Sequence, residues 1–405
     1  MTYEETLEYL FTRLPMYQRD GKKAYKKDLT NTIKLLDVLD NPHLSFKSVH
    51  IAGTNGKGTS AHGIAAIMQT AGYKTGLYTS PHLKNFTERI KIDGSEVPQN
   101  FVVDFVERIK PAVAEIEPSF FEITVAMAFD YFKYSSVDIA IIETGLGGRL
   151  DSTNVITPEV SLITNIGYDH MDMLGNTLEE IAREKAGIIK PNVPVIIGEK
   201  TSETQSVFEE FAEVRHTNLV YADSANWRAQ SLVPDYLVKN VPGIEAVIDE
   251  LKNRGWKISQ TDINEGLNNL NSLTGLKGRF QILSQEPLVI ADVSHNAEGL
   301  SILLQQVKSL CKGALHLIIG TVKDKDLSSI FHIFPKDSKK YWTQSSVPRA
   351  LPVEELAIQG IMNGIEGECF KNVNEAITSA KEKAHPDDII LITGSTFVVA
   401  EVESI

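Results

Sequence analysis

The run Gly53-Thr54-Asn55-Gly56-Lys57-Gly58-Thr59 has the residue types that hold phosphate. Its glycines let successive backbone N–H groups turn into one concavity that suits phosphate oxygens. Lys57 supplies a cation for β- and γ-phosphates, and Thr59 a hydroxyl that can sit near Mg2+. Two residues separate Gly53 from Gly56-Lys57 where the common phosphate loop has four, and an extra Gly58 precedes Thr59. Glu143 follows the apolar run Asp138–Ile142, so it is expected at the carboxyl end of a buried strand. Ligands bind at that edge of open α/β sheets, and a carboxylate is a hard oxygen donor for Mg2+. Ser80 lies in the same relation to the run Lys74–Tyr78. The segment Gly145-Leu146-Gly147-Gly148-Arg149 fails as a dinucleotide fingerprint, because Leu150 stands where the third glycine belongs.

These residues need a scaffold, and the hydrophobic pattern supplies one. Ser48–Ala52 reads as a buried strand feeding the glycine-rich loop. The helix after it shows Ala61, Ile64, Ala65, Met68 and Ala71 on one stripe. Lys74–Tyr78, Asp138–Ile142, Val160–Thr164 and Val193–Ile197 read as strands, and residues 100–116 and 121–134 as helices. Thr177-Leu178-Glu179-Glu180 is a capping box opening a helix that stops at Gly187. Residues 200–280 are more helical and less regular. A second series follows, with strands at Leu288–Asp292, Leu315–Ile319 and Asp388–Ile392 and helices at 297–311 and 373–384.

Strands alternating with helices imply βαβ units. The expected fold is α/β: a mostly parallel sheet domain containing the phosphate loop, over residues 1–284, and a smaller Rossmann-like α/β domain, over 285–405. Ser284-Gln285-Glu286-Pro287 reads as the linker between them. The smaller domain has no phosphate loop and is expected to complete a cleft.

The 405 residues, 42% hydrophobic and 23% charged, have ordinary globular composition. A net charge of −13 argues against nucleic acid as the main partner. No apolar run is long enough for a membrane span, and Met1-Thr2-Tyr3-Glu4-Glu5 lacks a signal pattern, which points to the cytoplasm. Cys311 and Cys369 fall in no metal or disulfide framework.

Further motifs accompany the phosphate loop in order: Ser80-Pro81-His82-Leu83, Thr87-Glu88-Arg89, Phe120-Phe121-Glu122, Glu143 through Asn154, Asp169-His170, and Arg183-Glu184-Lys185-Ala186-Gly187. Together they resemble folylpolyglutamate synthase and dihydrofolate synthase, the folate branch of the Mur ligase superfamily. The short loop spacing is that superfamily's, and the Gly145–Asp151 run separates this branch from the cell-wall ligases. The resemblance spans nearly the whole chain and is most specific over residues 49–190.

It implies an ATP-dependent ligase that joins L-glutamate to dihydropteroate and to the γ-carboxyl of reduced folates through an acyl phosphate. Implied cofactors are ATP and two Mg2+ ions, with a monovalent cation as a further candidate. Gly53 to Thr59 would bind ATP, with Asn240 at adenine, Arg279 at phosphate and Asp292 at the ribose. Thr59, Ser80 and Glu143 would hold the first Mg2+, and His170 the second ion. Lys185 would be carbamylated, and His295 would lie between ATP and glutamate. The pterin site would draw on Ser119, Phe120, Phe121, Glu122, Leu150, Asp151 and Ser152, with Phe121 stacking and Asp151 hydrogen-bonding. Tyr25–Thr30 would add a substrate loop, and Ser395 would lie near glutamate. Leu237 replaces the family's Gln after the aromatic residue, and Val293 replaces Gly in Asp292-Val293-Ser294-His295-Asn296. A monomer is expected. The rivals are another Mur-type ligase, for which too little chain precedes Ser48, and a non-catalytic phosphate-loop regulator, which would leave Glu143, His170 and Lys185 unexplained.

Overall fold

The computed structural model describes residues 1–16, 19, 28–323 and 327–405. Residues 25–27 of the expected substrate loop therefore lie outside the described residues. The chain forms two compact units. One comprises Met1–Ser231 with Leu237–Leu276, the other Leu232–Tyr236 with Lys277–Ile405.

The first unit is built on eight strands: β1 (Lys47–Ala52), β2 (Thr75–Tyr78), β3 (Ile90–Ile92), β4 (Ser95–Glu96), β5 (Ile139–Glu143), β6 (Val160–Ile163), β7 (Val195–Ile197) and β8 (Leu219–Tyr221). Their order is β4-β3-β2-β5-β1-β6-β7-β8. The strands from β2 to β8 are parallel, and β3 and β4 add an antiparallel edge. β1 thus lies between β5 and β6, in a register that sets Ile51 beside Glu143 and Ala52 beside Ile163. β2 pairs with β5, so the carboxyl ends of all four strands meet around the loop after Ala52.

The Lys57–Thr70 helix is not the amphipathic element that its stripe suggested. Every residue from Thr59 to Met68 is buried, and Ala71 falls just past its end. One face meets the sheet, and the Gln260–Asn268 helix covers another. Gly266 is what permits this approach, since a Cβ there would fall 2.7 Å from Ile67 Cα. Burial of Ile64, Ile67 and Met68 is worth ~1.5–3 kcal/mol each and fixes the helix that carries Lys57 and Thr59.

The second unit has six strands: β9 (Gln281–Gln285), β10 (Leu288–Ala291), β11 (Leu315–Ile319), β12 (Lys339–Trp342), β13 (Glu368–Cys369) and β14 (Ile389–Thr393). The order is β13-β12-β11-β14-β10-β9, all parallel except β9 against β10. Ser284–Pro287 is therefore not a linker. Ser284 and Gln285 end a strand that hairpins directly into β10, with Gln285 paired to Leu288. The polar residues of β9 hid it, because an edge strand needs no continuous apolar run. Cys311 and Cys369 are free thiols. Among the described residues no helix is long and apolar enough to cross a membrane.

Gly266→Ala should force the Gln260–Asn268 helix away from Ile67 and cost ~1–3 kcal/mol. Scanning calorimetry should show a lower melting midpoint. An unchanged midpoint would mean that the contact yields without cost.

Candidate active site

The segment after β6 props the loop after β1 from outside. Asn165 accepts from Asn55 N through Oδ1 (2.8 Å) and from Thr54 N through its carbonyl (3.0 Å). Thr164 Oγ1 donates to the Asn55 carbonyl at 2.6 Å, and Thr54 Oγ1 donates to the Gly167 carbonyl at 3.1 Å. Gly53 has no room for a side chain: a Cβ would lie 1.8 Å from Thr164 Oγ1. Gly56 has φ 84°, and a Cβ there would meet Asn240 Oδ1 at 2.5 Å. The amide of Asn240 thus rests on the loop, and its Nδ2 is buried without a hydrogen-bond partner. Thr164, Asn165 and Gly167 were missed by the sequence reading. Their one signal was a strand end followed by Thr-Asn-x-Gly, which reads as an ordinary turn.

Two lysines converge on one carbonyl. Lys57 Nζ donates to Gly53 O at 3.1 Å and to Thr54 O at 3.2 Å, and Lys185 Nζ donates to Gly53 O at 2.8 Å. Lys185 is 3% exposed. Desolvation above all, then the charge of Lys57, pulls its pKa from 10.5 to about 7, against the opposing pull of Asp169 and Asp151. It stands near the end of the Leu178–Ala186 helix, whose Thr177–Glu180 capping box forms as the sequence implied. The glycine run packs on that helix end. A Cβ at Gly148 would fall 2.8 Å from Lys185 O, and one at Gly187 would fall 2.3 Å from Arg149 Cα.

Glu143 ends β5 at 4% exposure and accepts from Ser80 N at 3.1 Å. Thr59 is buried in the first turn of the Lys57–Thr70 helix. Ser80, Thr59 and Glu143 are oxygen donors at neighbouring strand and helix ends, which is the donor set that Mg2+ prefers. Among the described residues no three His, Cys, Asp or Glu side chains form a metal-binding group. His170, at φ 49°, is half-buried with Nε2 3.8 Å from Asp169 Oδ2.

Asp151 is buried and fully engaged. Oδ2 accepts from Gly145 N and Leu146 N, both at 2.8 Å. Oδ1 accepts from Thr153 N at 3.0 Å and Thr153 Oγ1 at 2.6 Å. Behind them His50, fully buried, lies 2.8 Å from Thr153 Oγ1. Desolvation lowers the His50 pKa to about 3, so the ring is neutral and its Nε2–H donates to Thr153. Asp151 is thus first a loop organiser, and a ligand donor must share it with donors from its own chain.

Ser119 and Glu122 form the capping box of the Phe120–Tyr134 helix, with Ser119 N donating to Glu122 Oε2 at 2.7 Å. Phe120 is core, 5.4 Å from Phe11 and under the Arg89 guanidinium at 5.2 Å. These three residues thus build the start of the helix and the aromatic cluster beside it. Phe121 differs. It is partly exposed, and its ring covers Gly145, where a Cβ would fall 2.4 Å from Phe121 Cζ. Leu150 and Ser152 flank Asp151, Leu150 partly exposed and Ser152 buried.

In the second unit Asp292, fully buried, repeats the pattern of Asp151. Oδ2 accepts from Phe280 N and Tyr236 Oη, both at 2.7 Å, and Oδ1 from Ser294 N at 2.8 Å and Ser294 Oγ at 2.6 Å. It thereby fixes the turn carrying Arg279, between Gly278 (φ 65°) and Phe280 (φ 45°). It also fixes the turn carrying His295, whose Nδ1 lies 3.0 Å from the Val293 carbonyl. Ser395 caps the Thr396–Ala400 helix through Phe397 N and Val398 N.

Comparison with known proteins decides the family. Residues 51–233 match the Mur ligase middle domain, and residues 278–396 the Mur ligase glutamate ligase domain. A folylpolyglutamate synthase of Lacticaseibacillus casei is 31% identical over 99% of this chain and 98% of its own length. The chain belongs to the folylpolyglutamate synthase/dihydrofolate synthase family of Mur ligases. Another member, the dihydrofolate synthase/folylpolyglutamate synthase of Escherichia coli, is 33% identical over 87% of this chain and 85% of its own. A solved Yersinia pestis bifunctional folylpolyglutamate synthase/dihydrofolate synthase, complexed with AMPPNP and Mn ion, superposes with a TM-score of 0.87. It is 27% identical and covers 99% of this chain and 97% of its own. As a member of this family the chain is an ATP-dependent ligase.

The lowered Lys185 pKa has a stability consequence. Between about pH 7 and 10.5 the unfolded chain binds more protons than the folded one, so stability rises with pH there, and below about 7 the penalty of the buried charge is complete. In CO2-free buffer, the melting midpoint of Lys185→Met relative to wild type should be most favourable below pH 7. The difference should shrink as pH rises toward 10. A difference that is flat with pH would show that Lys185 is fully charged in the folded protein.

Proposed function

We propose that this ligase joins the α-amine of L-glutamate to the carboxylate of dihydropteroate, and to the γ-carboxyl of reduced folates. The observation that carries the reading is the convergence of Lys57, Thr59, Ser80, Glu143 and Lys185 on the loop at the carboxyl ends of β1, β2 and β5. A substrate carboxylate oxygen attacks the γ-phosphorus of ATP and ADP leaves, giving an acyl phosphate. The glutamate amine then attacks the acyl carbon, inorganic phosphate departs, and the amine proton is lost.

The chief obstacle is bringing two anions together, so the chain's part is electrostatic. Lys57 and the amides at the start of its helix would take the phosphates. Thr59, Ser80 and Glu143 would hold Mg2+, with His170 toward a second ion, and the metal would supply charge neutralisation between nucleotide and carboxylate. The unpaired Asn240 Nδ2 suits an acceptor on the nucleotide. Phe121 offers a ring face to a pterin, and the Gly145–Asp151 loop its polar edge. Arg279 and His295, each held through Asp292, would meet nucleotide phosphate and the incoming glutamate, with Ser395 nearby. A Lys185 near pKa 7 has a neutral amine that can attack the carbon of CO2 and lose a proton, and the resulting carbamate would replace a cation beside the metal with an anion. The first unit would bind ATP, Mg2+ and pterin, and the second glutamate. The protein would act as a cytoplasmic monomer, which light scattering can check.

ADP release with Mg2+ should depend on L-glutamate plus dihydropteroate in one reaction and on L-glutamate plus tetrahydrofolate in another. Turnover with one substrate alone would remove the other half of the reading. Glu143→Ala should lower turnover by on the order of 100-fold or more with the fold retained, and a loss within tenfold would refute its metal role. Under 13CO2, a carbamate carbon signal should appear in wild type and vanish in Lys185→Met. Its absence from wild type would refute the modification.

A further inference from the structure

Two residues of the sequence motifs have no part in the reading so far: His82 of Ser80-Pro81-His82-Leu83 and Arg89 of Thr87-Glu88-Arg89. Both belong to the phosphate-loop unit and to the segment that joins β2 to β3. That segment is tied down within the unit. Thr79 N donates to the Arg89 carbonyl at 3.0 Å, and Ser80 N donates to Glu143 Oε2 at 3.1 Å. Glu88 accepts from Leu83 N at 2.7 Å, Lys84 N at 3.2 Å and Asn85 N at 3.1 Å, so its carboxylate is taken up by its own turn.

Arg89 is 3% exposed, yet among the described residues it forms no ion pair. Its contacts are neutral: Nε donates to His82 Nδ1 at 2.7 Å, and the guanidinium lies 5.2 Å from the centre of the Phe120 ring. The carboxylates whose charge bears on it are Glu143 and Glu88, neither at ion-pair distance. A buried cation is costly without an anion beside it. The contact with His82 also fixes a proton. Arginine Nε always carries its hydrogen, so His82 Nδ1 accepts, the ring is neutral and its own proton sits on Nε2. His82 is partly exposed between Phe11 and Phe86, with ring centres 6.1 and 6.4 Å away. Among the described residues Nε2 has no hydrogen-bond partner.

We infer that His82 and Arg89 form a carboxylate subsite, in which His82 Nε2–H donates to one carboxylate oxygen of dihydropteroate. Arg89 is the positioning residue: it sets the tautomer of the ring and supplies the positive charge behind it. A cation bonded to one ring nitrogen makes the N–H on the other a stronger donor, and it favours an anion over a neutral group. One oxygen held in this way leaves the other for the attack on phosphorus. His82 stands two residues beyond Ser80, whose amide is tied to Glu143, so the subsite lies on the same turn as the proposed metal ligands.

This inference rests on the dihydropteroate reading proposed above, and the test separates the two. Wild type, His82→Phe and His82→Gln are titrated by calorimetry with dihydropteroate and with the analogue that lacks its carboxyl group, with ADP and Mg2+ present throughout. His82→Phe should weaken dihydropteroate about tenfold and the analogue by about twofold at most. His82→Gln keeps an N–H donor and should return dihydropteroate to within about threefold of wild type. In 15N-histidine-labelled wild type, two-bond 1H–15N spectra should show His82 protonated at Nε2 and bare at Nδ1, the signal being assigned by its loss in His82→Phe. A proton on Nδ1 would overturn the role of Arg89. Equal losses with the two ligands, or unchanged dihydropteroate binding by His82→Phe, would overturn the subsite and leave the ligase reading standing. A wild type that binds neither ligand would overturn the dihydropteroate reading and this inference with it.

Discussion

A glycine-rich turn between a strand and a helix has few bonds within itself to hold it in one shape. In this protein the strand next door holds it. Thr164 and Asn165, leaving β6, take hold of Thr54 and Asn55 by side chain and carbonyl, and Thr164 fills the space that a side chain on Gly53 would need. That support exists because β6 is the immediate neighbour of β1, with Ala52 in register with Ile163. β5 on the other side brings Glu143 level with Ile51. The strand order thus supplies both the prop for the loop and the carboxylate beside it, and the helix that follows is locked by burial on every side.

The two units solve a second problem in the same way. Each places an aspartate just beyond a strand or loop and surrounds it with four donors from its own unit. Asp151 gathers Gly145, Leu146 and Thr153. Asp292 gathers Tyr236, Phe280 and Ser294. A buried carboxylate is costly unless its lone pairs are filled, and filling them with backbone N–H groups turns that cost into loop geometry. These residues read naturally as ligand contacts because they are acidic and lie beside glycine-rich turns. Their first task is to hold those turns still.

Much of the architecture was legible because the strands of parallel sheets are continuous apolar runs. Strands β1, β2, β5, β6 and β14 lie within a residue or so of their expected bounds, and the Thr177 capping box opens the helix it precedes. Strand β9 was not legible, since its residues are half-exposed and polar at an edge. The burial of the Lys57–Thr70 helix on all sides was hidden too, because Gly63 and Gly266, which let neighbours approach, leave no hydrophobic signature. At the proposed site, the residue types of Lys57, Thr59, Ser80, Glu143 and Lys185 are what suggested a phosphate and metal centre. The supports Thr164, Asn165 and His50 act through contacts between segments far apart in sequence, which spacing alone does not reveal.

The division of the chain limits how it can be taken apart. It passes between the units three times, after Ser231, after Tyr236 and after Leu276. A fragment starting at Lys277 would contain all six strands of the second sheet and most of its core. It would lack Val233, Asp235 and Tyr236, and so would strand the amide of Gln306 and one lone pair of the buried Asp292. The C-terminal segment from Lys277 is therefore not a separable module with a simple tether. It is closed by a short strap borrowed from the middle of the sequence, and a shuffled or split version of this enzyme must carry residues 232–236 along with it to remain whole.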